Sequence, residues 1–257
     1  MEGTRAGYIT LINMSNSFIG GSKYALSGFK LIFKPRLRRF VIIPFLINLV
    51  LFSGALWFGS SWIDSYINNL LPGWLEWLRF VIWPLLAIVA LAVIFSTFTL
   101  LANLLGAPFN SMLAEAVEIR LSGKELTGNP KTDGLAKDAV ISITSEIGKL
   151  TFFALRSIPF LVLFLIPGLN FLAPFLWFLF GSWMLVHEYM DYPMGNHGVR
   201  FSQQRPLLRK KRIMIFGFGI TVMIMTLIPI LNFFAMPVAV AGATFMWHEQ
   251  FSERSNL

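Results

Sequence analysis

Leu165-Ile166-Pro167-Gly168-Leu169-Asn170-Phe171 returns 62 residues later as Leu227-Ile228-Pro229-Ile230-Leu231-Asn232-Phe233, and each copy cuts an uncharged stretch in two. Each copy is followed by an apolar run that ends in His-Glu, at His187-Glu188 and His248-Glu249. Proline removes a backbone donor and clashes with the preceding turn, so it interrupts a helix that a simple membrane anchor would continue. Such a break at membrane depth is tolerated where it lines a cavity or is buried in protein. The repeated phrase therefore predicts a membrane protein with a pathway in it.

Working outward, four stretches carry no Asp, Glu, Lys or Arg: 40–63, 80–113, 157–186 and 213–247. A hydrocarbon core about 30 Å thick needs ~20 helical residues, so the first two suffice for transmembrane helices, placed at 40–63 and 80–105. The other two are too long for one comfortable span and too short for two. Split at the phrase they give halves of 16 or 17 residues, each about 24–26 Å long at 1.5 Å per residue. That length predicts helical hairpins, over 151–186 and 213–247, that enter the bilayer partway and return.

Loop charge points the same way. Lys and Arg number seven in 1–39, one in 64–79, six in 111–156, six in 187–212 and one after His248. Basic loops stay on the cytoplasmic side, so only 64–79 is expected outside. Were 157–186 a single crossing, Arg205-Pro206-Leu207-Leu208-Arg209-Lys210-Lys211-Arg212 would be carried outward; a hairpin keeps it in.

Composition sets the outer limits. Hydrophobic residues are 56% and charged residues 13% of 257, half the charged share of a soluble chain. The reading is one integral membrane domain, 1–257, with cytoplasmic helices over 111–150. No cysteine is present, which excludes disulfides and thiolate metal sites. The net charge of +8 fits basic cytoplasmic loops on anionic lipid better than nucleic acid. Residues 1–34 hold no long apolar segment of the signal-peptide kind. Residues 21–33 are moderately amphipathic and predict an interfacial N-terminal helix ending before Pro35.

Three constellations could carry chemistry. Lys34-Pro35-Arg36-Leu37-Arg38-Arg39 precedes the first span, and proline suits the first position of a helix. The amides of Arg36, Leu37 and Arg38 would then be unpaired at the positive end of the helix dipole. With the guanidiniums they would make a site for a tetrahedral oxyanion; the plainer reading is a positive-inside anchor. Asn170 and Asn232 stand where a half-helix restarts, and asparagine is a favoured N-cap. A third break, Asn103-Leu104-Leu105-Gly106-Ala107-Pro108-Phe109-Asn110, ends the second span. Discontinuous helices that aim their N-termini at an anion are a transporter device, although each asparagine could equally satisfy its own turn. Glu115 follows the third break, where it could pair with Arg38 or Arg39 or simply be solvated.

Other chemistry lacks its marks. The uncharged stretches hold no carboxylate of the kind that proton relays and sodium sites need. His187-Glu188-Tyr189-Met190-Asp191 has no second histidine at zinc-protease spacing, and His197 and His248 are isolated, so structural roles are expected and no metal. No Walker loop, GxSxG elbow or glycine fingerprint is present, so no catalytic residues, cofactor or ATP use is assigned.

Several of these motifs together resemble one family. They are Arg36-Leu37-Arg38-Arg39-Phe40-Val41-Ile42-Ile43-Pro44, Ala107-Pro108-Phe109-Asn110 with Leu113-Ala114-Glu115, the Ile-Pro-x-Leu/Ile-Asn phrase, and Asp191-Tyr192-Pro193 with Asn196-His197. In order along 21–249, they resemble the CysZ family of bacterial inner-membrane sulfate transporters that feed cysteine biosynthesis. The resemblance implies an all-α membrane protein with two long transmembrane helices and two pairs of half-penetrating helices. It implies sulfate binding at Arg36, Leu37, Arg38 and Arg39, a motif whose usual first residue is glycine where this chain has Arg36. It also implies a path lined by Asn103, Asn110, Glu115, Asn170 and Asn232. Homo-oligomers, dimer or higher, are implied too, with subunits of opposite orientation, which the loop-charge bias does not predict. The expected function is ATP-independent sulfate import as a channel or carrier, with sulfite and other oxyanions as open alternatives. The rival class is a non-transporting membrane scaffold or assembly factor.

Overall fold

The computed structural model describes residues 17–47, 49, 50, 53, 54, 57, 80, 81, 84, 85, 88, 89, 109–123 and 135–252, with the backbone alone for 135–146. The described residues are helices and turns, with no strand among them. The chain divides into two compact units, one of residues 1–38 and 110–257, the other of Arg39–Phe109.

In the second unit, 39–47, 49, 50, 53, 54, 57, 80, 81, 84, 85, 88 and 89 are all helical. The remainder of the spans expected at 40–63 and 80–105 lies outside the described residues. The described side chains Val50, Trp57 and Phe80 are exposed and apolar, as suits helices solvated by lipid.

Among the described residues the first unit holds seven helices: α1 (Phe18–Ile32), α2 (110–122), α3 (Leu135–Leu165), α4 (Ala173–Asn196), α5 (Phe201–Arg209), α6 (Arg212–Leu227) and α7 (Pro229–Gln250). Among the described residues three stretches are long and apolar enough to cross a membrane, Ile147–Leu165, Asn170–Asn196 and Pro229–Gln250; α6, at 16 residues, is shorter.

Both repeated phrases reverse the chain. Along α3 and α4 the aromatic partners run in opposite senses: Phe152 with Trp183 at 5.8 Å, Phe160 with Phe180 at 4.7 Å, Phe164 with Trp177 at 6.3 Å between ring centroids. The open end of this hairpin is closed by Lys149 and Asp191, 2.9 Å apart. The open end of the α6–α7 hairpin is closed by Lys211, whose ammonium donates to the Gln250 carbonyl at 3.2 Å and also to its side-chain amide oxygen. The hairpin arms run past the uncharged stretches. The expected junction at 150 between a cytoplasmic helix and the hairpin is absent, and α3 is one 31-residue helix with Pro159 inside it.

The core sits where α1 crosses α6 and α7. Ser17 caps α1 by accepting from the Gly20 amide at 3.1 Å, which satisfies one orphan donor of the first turn. Its face of Gly20, Gly21, Tyr24, Ala25, Gly28, Leu31 and Ile32 is buried. A Cβ on Gly21 would collide with the Met214 carbonyl, and one on Gly28 with the Val238 carbonyl. Small residues at these crossings let helix backbones touch, the mode of packing that serves where lipid removes the hydrophobic drive. Of the apolar residues that suggested an interfacial helix, Tyr24 and Ile32 rest on protein, whereas Leu26 and Phe33 are exposed. Amphipathicity reports that a stripe is covered and does not say by what.

Candidate functional site

The basic turn was expected to open a helix at Pro35, and it does not. After α1, residues 33–38 form turns and the next helical residue is Arg39. The Leu37 and Arg38 amides both donate to the Lys34 carbonyl, at 3.1 and 3.2 Å. Two of the three amides expected as free anion donors, those of Leu37 and Arg38, are therefore spent inside the turn. The reason is local: Arg36 takes φ +74°, a left-handed conformation that folds the backbone onto Lys34 and is costly for a residue with a Cβ. Leu37 is buried and pins the turn to its unit, whereas Arg36 and Arg38 are exposed. Arg39 begins the other unit, exposed, with its guanidinium 4.8 Å from the Phe40 ring centroid. Among the described residues, none of the three arginines has an ion-pair partner. What the turn presents is charge and forked N–H donors more than backbone dipoles.

The break asparagines are not N-caps. Helix α7 starts with Pro229 at its first position and Ile228 before it in extended conformation, so Asn232 lies inside the first turn and its amide donates to the Ile228 carbonyl at 2.8 Å. At the first break Gly168 takes φ +82° and Asn170 opens a three-residue 3-10 turn ahead of α4. Pro229, at the first position of α7, lacks the donor that a first turn leaves orphaned, and neither α4 nor α7 has a side-chain cap. Both asparagine side chains are exposed, and no described residue bonds to either. Asn103 lies outside the described residues.

Asn110 and Glu115 fall on α2, which is laced to the end of α4. The Asn110 amide donates to the Tyr192 hydroxyl at 3.4 Å, and Ser111 donates to the Asn196 side-chain oxygen at 2.7 Å. Asn196 returns a bond to the Ser111 carbonyl at 3.1 Å, and His197 Nε2 lies 2.7 Å from Glu118 Oε1. That carboxylate holds the His197 ring above its usual pKa against the opposing effect of burial. Beside them Lys149, buried, also approaches Glu188 at 3.4 Å, and Gln204 donates to Asp191 at 2.6 Å. Asn110, Ser111 and Glu118 thus meet the motif 191–197 in one polar lattice. Glu115 is exposed and, among the described residues, forms no ion pair.

One feature escaped the sequence. A cavity of about 960 Å³ opens between α1, α3, α4, α5 and α6, with Arg156, Arg205, Arg209, Lys210 and Arg212 on its wall and no acidic residue among its lining. Four of these cations sit in the run 205–212, which charge counting treats as a loop label. Arg156 comes from α3, and nothing in the primary sequence signals that the two meet.

Residues 24–237 match the family described as Sulfate transporter CysZ/Etoposide-induced protein 2.4. The chain is 44% identical over 233 residues to a protein named Sulfate transporter CysZ from Salmonella paratyphi A, covering 88% of this chain and 91% of the relative. It is 40% identical over 248 residues to the protein of the same name from Pectobacterium atrosepticum, covering 95% and 90%.

Proposed function

This chain belongs to the sulfate transporter CysZ family, and from that premise we propose that it carries sulfate across a bacterial inner membrane, without ATP, toward cysteine synthesis. The observation that carries the reading is the near full-length likeness to proteins named sulfate transporters. The scaffold alternative has no comparable support.

Sulfate is captured at the turn 36–39. With the Leu37 and Arg38 amides already engaged, the work falls on the guanidiniums of Arg36, Arg38 and Arg39, whose forked donors match two oxygens of a tetrahedral anion at once. Exposure suits the task, because a site that must release its ion cannot bind it too tightly. Asn103, Asn110, Asn170 and Asn232 supply neutral donors along the path, with Glu115 at its mouth. Sulfite and other oxyanions of like shape are accepted by the same chemistry.

Both hairpins are re-entrant. Their open ends are polar and bonded, at Lys149–Asp191 and Lys211–Gln250, while Leu165, Phe171, Ile230 and Phe233 at the tips are exposed and apolar. A tip that emerged into water on the far side would cost tens of Å² of wetted apolar surface per residue, each worth ~25 cal/mol. Tips of this kind belong in lipid or against a second copy, which also supports a homo-oligomer.

The test is labelled sulfate uptake into liposomes containing only the purified protein. Arg38→Ala combined with Arg39→Ala should cut uptake at least tenfold with the thermal midpoint unchanged. Wild-type uptake in that variant removes the site, and no uptake by the wild type removes transport.

A further inference from the structure

We propose that the cavity between α1, α3, α4, α5 and α6 is a binding site for the phosphate of an anionic membrane phospholipid. It lies within the first unit and plays no part in the sulfate reading above.

Two arginines are prearranged there. The Arg156 guanidinium carbon lies 4.6 Å from the Phe152 ring centroid and 5.6 Å from that of Trp183. Arg205 lies 4.5 Å from the same Phe152 ring and 5.4 Å from Phe201. Two like charges share one aromatic ring, and the lining offers no carboxylate to offset them. Stacking holds a guanidinium by its face and leaves its edge donors free for an oxyanion. Arg205 Nε is buried and has no hydrogen-bond partner among the described residues. A buried cationic donor without an acceptor is costly, and a phosphate oxygen is the acceptor it lacks. Arg209, Lys210 and Arg212 ring the same space.

The recognised chemistry is a tetrahedral oxyanion, which a lipid phosphate and free sulfate share. The wall favours the lipid. About 960 Å³ far exceeds what a bare ion fills, and Phe18, Ile213 and Phe216 give the cavity an apolar side. Phe18 and Ile213 are themselves exposed, so acyl chains can continue from the cavity onto the protein surface. Basic pockets between helices on the inner side of a membrane are suited to anionic headgroups, and loop charge places 187–212 on that side.

The experiment titrates delipidated protein in detergent with phosphatidylglycerol, phosphatidylcholine or sodium sulfate, reading the thermal midpoint and the Trp183 fluorescence (wild type minus Trp183→Phe). Phosphatidylglycerol should raise the midpoint and change the Trp183 signal, and phosphatidylcholine should do neither. Arg156→Gln with Arg205→Gln should raise the half-saturating lipid concentration at least tenfold. Arg205→Lys keeps charge and loses the fork, so it should fall between them and guards against misfolding of the double variant. A Trp183 response to sulfate but not to phosphatidylglycerol overturns the lipid assignment. Equal lipid affinity in wild type and both variants overturns the site. Because no flux is measured, failure here leaves sulfate uptake to be judged separately.

Discussion

The two hairpins carry nearly the same seven-residue phrase and are built into the molecule in opposite ways. Within the apolar 18-residue window of each stretch, 11% is buried in Ile147–Leu165 and 28% in Asn170–Asn196 of the α3–α4 hairpin, against 61% in Pro229–Gln250 of α7. The first hairpin is held by a ladder of large rings, Phe152, Phe160, Phe164, Trp177, Phe180 and Trp183. The second is held by small residues: Gly217 abuts the Phe18 carbonyl, and a Cβ on Gly242 would stand 2.6 Å from the Tyr24 carbonyl oxygen. The phrase says where the chain reverses. The residues flanking it say whether the reversal belongs to the core or to the periphery.

The sharpest way to break this comparison is to add one methyl group to each hairpin. Gly217→Ala in α6, like Gly21→Ala in the facing α1, drives a Cβ into a carbonyl across the seam between them. Neither partner is a flexible side-chain end, so α1 must separate from α6. Overpacking ordinarily costs 1–3 kcal/mol and more where backbone blocks relief; about 3 kcal/mol or more is expected, read as loss of folded protein in a detergent melt. Gly181→Ala in α4 meets only the end of the Met223 side chain, its methyl at 3.2 Å and its sulfur at 3.8 Å, and should stay within about 0.5 kcal/mol of wild type. Equal losses at both sites would erase the distinction between core and periphery.

A smaller effect separates the two breaks. Gly168 in the first phrase has φ +82°, where the second phrase has Ile230 inside the first turn of α7. Gly168→Ala should therefore destabilise by about 1 kcal/mol, whereas Ile230→Ala should not, its backbone being already helical. Arg36, at φ +74°, is the mirror experiment: Arg36→Gly should stabilise by about 0.5–1 kcal/mol. It also removes one of three guanidiniums, so sulfate capture should weaken as the fold strengthens. Thermal midpoint and sulfate KM, measured together, check both halves.

Much of this was legible from residues. The doubled Pro phrase located the two reversals, because proline geometry acts locally, whereas most of the spans expected at 40–63 and 80–105 lies outside the described residues. What stayed hidden depends on the third dimension. Nothing in Arg36 announces a left-handed turn that consumes the Leu37 and Arg38 amides. Asparagine at a break suggested a cap, but Pro229 stands three residues earlier and starts the helix first. Residues 21–33 read as an amphipathic helix, without revealing that α6 and α7 pack on its glycines, Gly21 and Gly28. Arg156 and Arg205, 49 positions apart, share a ring only once α3 and α5 are folded.

The smallest expected effect tests the two hairpins by pH. The open end of the second is closed by Lys211 on Gln250, an amide that does not titrate. Beside the open end of the first, α2 is fastened to α4 by His197 and Glu118 at 2.7 Å, and that bond raises the histidine pKa in the folded protein. The sign follows from linkage. Below an unfolded pKa of about 6.5, the ring is protonated in both states and the full contribution is present. As pH rises through the higher folded value the proton leaves, and the contribution is lost. The midpoint of the wild type should therefore decline as pH rises above about 6.5, and Glu118→Gln should flatten that slope by removing the anion that holds the proton. Were the slope unchanged in Glu118→Gln, the pH response would have to arise elsewhere, and the lattice joining α2 to α4 would be neutral packing.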